Sequence, residues 1–252
     1  MLWEVRRIVR SLAERSMRGL PVGGSRRNPR RTPSRPAPGV APPRGHGRGV
    51  ASAREIRVSY DPPAVLLTDG AFEPDNPTPA TIGGVVFLPR RHEAFFFAAH
   101  LDDGALKHLF CGSENPIAEI ELTTAMIALL LFRHELEGSP LIGFCDNDAA
   151  TAAIVRCTSG NQNMTELVEA VCGLEIQASL LAHWERVASA SNLADPPSRG
   201  IRPPDVPGWP PFRRRLTSEA LGLQLPMGLS RASVSPRLIL RGVRDARVTE
   251  AA

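Results

Sequence analysis

The middle of the chain alternates short apolar runs with longer amphipathic stretches, and this pattern predicts its secondary structure. Runs of apolar, β-branched and aromatic residues predict five strands, at residues 64–68, 82–88, 94–99, 141–145 and 182–188. Helical spacing of apolar residues predicts three helices, at residues 116–137, 146–157 and 164–181. The predicted order is therefore β-β-β-α-β-α-α-β.

This order predicts an α/β fold. The first three strands follow one another directly and should form an antiparallel meander, whereas later strands are joined through helices and should pair in parallel. We therefore expect a five-stranded mixed sheet flanked by helices.

Local signals refine these elements. Pro116 suits the first turn of the first long helix, Gly138 should end it, and Thr165 is the expected cap of the last helix. Gly83 and Gly84 interrupt the second strand, which indicates a bend or a close approach of another backbone segment.

Composition divides the chain into three parts. Residues 1–57 form a basic segment rich in Arg, Pro and Gly, which cannot bury enough apolar surface to fold and should be largely disordered. Residues 58–200 form the predicted domain. Residues 201–252 form a Pro- and Arg-rich tail that we also expect to be loosely ordered.

Charge follows the same division. Residues 1–57 contain 14 arginines and 3 acids, residues 58–200 contain 7 bases and 19 acids, and residues 201–252 contain 9 bases and 4 acids. The net charges are therefore +11, −12 and +5. Basic tails favour polyanions such as nucleic acid, whereas an acidic centre favours cations.

Several classes of protein are disfavoured. No apolar run reaches the ~18 residues that would span a bilayer, so we expect no membrane partner. The four cysteines show no spacing typical of zinc sites, and Cys145 and Cys172 are expected as small core residues in a reducing compartment. An intracellular location, cytoplasmic or nuclear, follows. Mitochondrial targeting by the Arg-rich start stays open, although Glu4 and Glu14 count against it.

Four carboxylates are the candidate chemistry. Asp69 follows the first predicted strand and Asp146 follows the fourth, so parallel pairing of these strands would bring both to one edge of the sheet. Glu121 falls within the apolar stripe of the first helix, where a charge needs a partner or a metal. Asp195 follows the fifth strand after a short loop.

Clustered carboxylates with few nearby bases repel one another, and a hard cation relieves this repulsion. Mg²⁺ prefers such oxygen ligands, with Mn²⁺ as a substitute. Two ions ~4 Å apart would activate a water and stabilise the leaving oxygen of a phosphodiester displacement.

Four segments carry a family resemblance: LLTDGAF, EIELTTAMIAL, CDNDAA and SASNLADPPSRG. In this order they resemble the motifs of ribonuclease H domains, and the last resembles the closing motif in hepadnavirus-like and other retroelement polymerases. The resemblance covers residues 64–200. It implies a ribonuclease H-like fold that hydrolyses RNA in RNA–DNA hybrids with two Mg²⁺ ions, derived from a reverse transcriptase polyprotein and partnered by its polymerase module.

Carried over by position, the resemblance assigns the metal ligands and catalytic residues. Asp69 and Asp146 would share the ions, and Asp195 would complete the second site. Glu121 would hold one ion and orient the water. Glu119 is a rival for this helix position, but the Leu-small-small run follows Glu121.

Three further residues are candidate substrate contacts. Arg199 would contact a substrate phosphate, and Asn147 and Asn192 would contact the nucleic-acid backbone. Recognition would depend on helix shape and 2′-hydroxyls rather than base sequence.

Two alternatives stay open. Pro196 and Pro197 hinder a normal last helix, and an inactive remnant could bind nucleic acid through its basic tails. A 3′–5′ exonuclease also uses four acids, but the segment Asp69-Gly70-Ala71 lacks the expected Asp-x-Glu pair, so this alternative ranks last.

Overall fold

The computed structural model describes residues 62–109, 115–217 and 243–250. The basic segment 1–57 lies outside these residues. Among the described residues, no helix has the length and apolar character needed to cross a membrane.

The sheet has five principal strands: β1 (Ala64–Phe72), β2 (Ala80–Leu88), β3 (Glu93–Leu101), β4 (Pro140–Cys145) and β5 (Leu181–Arg186). Their spatial order is β5-β4-β1-β2-β3. Strands β1, β2 and β3 form an antiparallel meander, and β4 pairs in parallel with both β1 and β5. The predicted mixed sheet is confirmed, with these five strands in it, but the described residues add two short strands to the five that were predicted.

Within the described residues, six helices accompany this sheet: α1 (Asp103–Leu109), α2 (Ile117–Leu131), α3 (Arg133–Leu136), α4 (Asp148–Arg156), α5 (Gln162–Gln177) and α6 (Asp195–Ser198). A single 3₁₀ turn, Ser189–Ser191, precedes α6. The three predicted helices are present, while α1 and α6 were not predicted.

The first predicted helix, 116–137, is divided in the structure. Phe132 leaves the helical conformation at φ −106° and ψ 15°, so α2 ends there and α3 begins. Both helices bury apolar side chains, among them Leu131 and Leu136, and Phe132 between them is buried as well. Periodicity alone could not show the break, because the apolar stripe continues across it. Gly138, at φ 66°, follows the end of α3 as expected.

The predicted cap of α5 was wrong. The helix begins at Gln162, and the Asn161 side chain accepts hydrogen bonds from the backbone N–H groups of Asn163 and Met164. The hydroxyl of Thr165 instead donates to backbone carbonyl oxygens, including that of Ser159 at 2.9 Å. Asn161 is the N-cap rather than Thr165, because its side chain accepts hydrogen bonds from two N–H groups of the first turn that have no partner within the helix.

Two short strands extend the β3 edge. Strand β6 (Arg213–Arg214) pairs in parallel with β3, and β7 (Val243–Asp245) pairs with it antiparallel. Both come from the part of the sequence interpreted as a C-terminal tail. No apolar alternation marks them, since edge strands this short bury few side chains.

The sheet separates two apolar layers. On one face, Leu66 and Phe97 pack beneath the main helices, and almost every side chain of α2 is buried between the sheet and α5. On the other face, Leu67 and Phe87 pack against Trp209 and Phe212. Burial on both faces explains the nearly continuous apolar runs of β1 and β4.

Gly83 lets the short helix α6 approach the sheet. A Cβ atom at this position would lie 2.2 Å from the Ser198 backbone nitrogen and 2.5 Å from the Pro197 carbonyl carbon. The close backbone approach expected from the glycines of β2 is therefore present.

We predict that Gly83→Ala lowers the free energy of unfolding by about 2 kcal/mol or more, because the added methyl group must displace backbone atoms of α6. Gly173→Ala is the matched control. Gly173 lies within α5, and beyond the backbone of its own helix an added Cβ would meet no atom within 4 Å, so alanine should be neutral or stabilising. Urea unfolding measures both. Equal effects of the two substitutions would contradict the proposed close contact.

Candidate metal centre

Asp69 and Asp146 meet at the edge of two parallel strands. Asp69 lies inside β1, which continues to Phe72, so the predicted end of this strand at residue 68 was wrong. The strand continues because β2 pairs with it throughout, with Asp69 opposite Gly83. Leu67 pairs with Phe144 on β4, and the same register two residues further places Asp69 beside Asp146.

Glu121 approaches this edge from α2. Gly70 makes the approach possible, because a Cβ there would lie 2.8 Å from Ile120 Cγ2 and 3.3 Å from the Glu121 backbone nitrogen. Oxygens of Asp69, Glu121 and Asp146 lie within 4.8 Å of one another. Asp69 and Glu121 are only 4% and 2% exposed, so two carboxylates of this cluster are buried.

Burial changes the protonation of these carboxyls. It raises the pKa of Asp69 to about 7, against a smaller lowering effect of the Ser198 hydrogen bond. It raises the pKa of Glu121 to about 9, and the neighbouring charges of Asp69 and Asp146 add to the effect. The three carboxylates therefore form an oxygen-rich site that is short of positive charge, which fits a hard divalent cation.

Asp69 is held from both sides by neutral donors. The Ser198 hydroxyl donates to Asp69 Oδ2. The Asn192 amide donates to Asp69 Oδ1 at 3.2 Å and to the Thr68 carbonyl oxygen at 3.0 Å. Sequence reasoning missed Ser198, because only the folded chain brings it to β1.

Asn192 has a different place from the one expected. It is 5% exposed, and its Oδ1 accepts the backbone N–H of Ala194 at 3.1 Å. In the structure, its side chain therefore positions Asp69 and the loop before α6.

Asp195 lines the same cleft but lies outside the three-carboxylate cluster. Its Oδ1 accepts a hydrogen bond from Arg199 Nε at 3.1 Å, and Arg199 Nη1 lies 3.6 Å from Glu73 Oε1. Pro196 and Pro197 are tolerated because α6 is a single turn, whose first N–H groups need no helical partner.

The hydrogen-bond partners of the two glutamates of α2 show which of them belongs to the carboxylate cluster. Glu119 is buried, but its Oε1 accepts a hydrogen bond from the Asn161 side chain at 3.2 Å. Glu119 therefore ties α2 to the start of α5, and Glu121 alone joins the carboxylate cluster.

The carboxylates open into a cleft of about 320 Å³, lined by Asp69, Glu121, Asp146, Asn147, Asp195 and Arg199. Asn147 caps α4, with its Oδ1 accepting the Ala150 N–H at 3.0 Å. Cys145, expected in the core, is buried as predicted, and its Sγ lies 3.6 Å from Glu121 Oε2. Asn147 and Arg199 line the cleft, where a substrate can reach them.

Comparison with known proteins gives a likeness in fold. No protein-family model and no curated protein matches the chain. Among solved structures, RNase H1 from the halophilic archaeon Halobacterium salinarum NRC-1 aligns at 14% identity with a TM-score of 0.39, covering 54% of this chain and 94% of that chain.

Two further structures give similar values. The N-terminal RNase H domain of a Mycobacterium tuberculosis protein, solved as a fusion with maltose-binding protein, aligns at 18% identity and a TM-score of 0.38, covering 54% of this chain and 90% of that chain. The compost-derived LC11-RNase H1 aligns at 15% identity and a TM-score of 0.37, covering 53% and 90%. These values describe a partial likeness in fold, and the chemistry of the site rests on its own residues.

We predict that Mn²⁺ binds the wild-type protein and that Glu121→Gln weakens this binding at least tenfold, because a charged oxygen ligand is lost. Glu119→Gln is the matched control, since Glu119 is equally buried on the same helix but bonded to Asn161. Isothermal titration calorimetry measures both affinities. Equal losses in the two variants would contradict the assignment of Glu121.

We also predict that the metal-free protein loses stability as the pH rises from 7 to 9. Glu121 holds its proton up to about pH 9 when folded but only to about 4.5 when unfolded, so the folded state binds more protons in this range. The slope should approach about 1.4 kcal/mol per pH unit. Urea unfolding in the presence of a chelator measures this dependence of the free energy of unfolding on pH, and Glu121→Gln should reduce its slope. An unchanged slope in that variant would contradict the shifted pKa.

Proposed function

We propose that the domain is a Mg²⁺-dependent endonuclease that cleaves RNA in RNA–DNA hybrids. The single observation that carries this proposal is the convergence of Asp69, Glu121 and Asp146 within 4.8 Å at one edge of the sheet. Those three residues also match three carboxylate motifs of ribonuclease H domains in order along the chain.

Two Mg²⁺ ions, replaceable by Mn²⁺, would be held by Asp69, Glu121 and Asp146, with Asp195 next to them in the cleft. When bound, the ions supply the Lewis-acid charge that hydrolysis of a phosphodiester bond requires. The protein's own part is to fix the ligands. Asn192 and Ser198 hold both oxygens of Asp69, and helix α2 holds Glu121 over β1.

Arg199 and Asn147 are the proposed substrate contacts. The Arg199 side chain is 52% exposed at the rim of the cleft, paired with Asp195 and near Glu73. The Arg199–Glu73 ion pair is exposed and contributes little to stability, so Arg199 can give up this pair and bind a substrate phosphate at little cost. A hybrid would be recognised by shape and 2′-hydroxyls.

The retroelement origin rests on the segment SASNLADPPSRG. In the structure this segment forms the 3₁₀ turn and α6, and it supplies Asn192, Asp195, Ser198 and Arg199 to the site. Of these, Asp195 and Arg199 line the cleft, whereas Asn192 and Ser198 hold Asp69. We propose descent from a polymerase-linked ribonuclease H domain, with a reverse transcriptase module as its natural partner, on the resemblance of this segment alone.

The second candidate function is an inactive domain that binds nucleic acid. The observation that favours it is the position of Asp195, which is paired with Arg199 and lies outside the three-carboxylate cluster. Binding without cleavage, weakened by added salt, is the behaviour that this alternative predicts.

We predict that the wild-type chain cleaves a labelled RNA–DNA hybrid in Mg²⁺ or Mn²⁺ and that Asp146→Asn lowers the rate at least about 100-fold, because a charged ligand is removed. Circular dichroism should show an unchanged fold. Gel analysis of the labelled RNA strand measures the rate.

Asp148→Asn is the matched control for this experiment. Asp148 lies two residues further along, but its side chain is 81% exposed and pairs with Arg186 at 2.7 Å. This variant should cleave at the wild-type rate. Wild-type cleavage by Asp146→Asn would refute the site, and salt-sensitive binding without cleavage by the wild type would favour the second function.

A further inference from the structure

Cys157 and Cys172 bring their sulfur atoms into contact on two neighbouring helices. Cys157 follows the end of α4 and is exposed, whereas Cys172 lies within α5 and is half-buried. Their Sγ atoms are 3.2 Å apart, with the Cys172 thiol directed at the Cys157 sulfur. A disulfide bond is ~2.05 Å long, so a movement of about 1 Å would join them.

The backbone conformation of Cys157 is unusual for a residue other than glycine. Cys157 adopts the left-handed conformation, with φ 52° and ψ 31°, at the end of α4. This position is most often glycine, because other residues are strained there. A cysteine here has the backbone strain that glycine would avoid, and its thiol faces the thiol of Cys172.

We propose that Cys157 and Cys172 form a reversible disulfide by exchange with a low-molecular-weight disulfide such as oxidised glutathione. The pair is a thiol modification site that is separate from the carboxylate cleft. Its nucleophile is the exposed Cys157, and Cys172 completes the bond.

The environment of the two sulfurs supports this division of roles. Cys157 is open to a reagent, while burial, followed by the hydrogen bond with Cys157, raises the pKa of Cys172 to about 12. Cys172 therefore stays protonated while Cys157 reacts. Conversion of Cys157 to a mixed disulfide changes this contact and removes part of the cause of the raised pKa.

The chemistry balances with glutathione disulfide as the only oxidant. The Cys157 thiolate attacks one sulfur of the oxidised glutathione, which forms a mixed disulfide and releases one glutathione thiolate. The Cys172 thiolate then attacks the Cys157 sulfur of the mixed disulfide, which forms the Cys157–Cys172 bond and releases the second glutathione. Two protein thiols are oxidised, one glutathione disulfide is reduced, and the two protons pass to the released thiolates.

The bond would tie the end of α4 to the middle of α5. The two cysteines are 15 residues apart in the chain, and closing such a loop restricts the unfolded state. The oxidised protein should therefore unfold at a temperature about 5 °C higher than the reduced protein.

The test uses the full chain, reduced and then treated with excess oxidised glutathione. After free thiols are alkylated, peptide mapping by mass spectrometry should find residues 157 and 172 joined, with a loss of two hydrogens and no retained glutathione. Cys111→Ala is the control and should form the same bond. A link from either cysteine to Cys111, links between chains only, or no link at all would overturn the proposal.

Two variants separate the nucleophile from its partner. In Cys172→Ala, glutathione should accumulate on Cys157, because no second thiol removes it. In Cys157→Ala, Cys172 should react at least tenfold more slowly, because it is half-buried. Equal rates of modification in the two variants would overturn the assignment of Cys157 as the attacking thiol.

Discussion

Burial of two carboxylates at the same edge of a sheet is the constraint on which the site depends. Asp69 and Glu121 are almost inaccessible to water, and with Asp146 they form a cluster within 4.8 Å. Burial of like charges is unfavourable unless protons or cations compensate. The pKa values of Asp69 and Glu121 are raised because burial and neighbouring charges disfavour their ionised forms. A bound divalent cation would compensate the negative charge and leave the carboxylates ionised.

The surrounding fold keeps the cluster in place through close backbone contacts. Gly70 allows α2 to bring Glu121 over β1, and Gly83 allows α6 to reach β2. Because α6 and the preceding loop are docked there, Ser198 and Asn192 can hold both oxygens of Asp69. Two glycines therefore connect the packing of the domain to the geometry of its carboxylates.

The sequence predicted the strands and helices that have a strong apolar pattern. It also predicted the acidic residues that stand out against that pattern. Asp146 follows from a buried strand, and Glu121 from an acid within an apolar helix stripe. The division at Phe132 was hidden because both helix segments are buried. The contacts of Ser198 and Asn192 with Asp69 were not predicted, because these residues lie 129 and 123 positions from Asp69 and such contacts exist only in the folded chain.

The most direct test of the account is a crystal of the protein soaked in Mn²⁺ and measured for anomalous scattering. The account predicts anomalous peaks in contact with carboxylate oxygens of Asp69, Glu121 and Asp146. The same map would show whether Asp195 leaves Arg199 to join a second ion. An ordered Asp69–Glu121–Asp146 cluster without an anomalous peak, at saturating Mn²⁺, would contradict the central claim that these buried carboxylates form a metal centre.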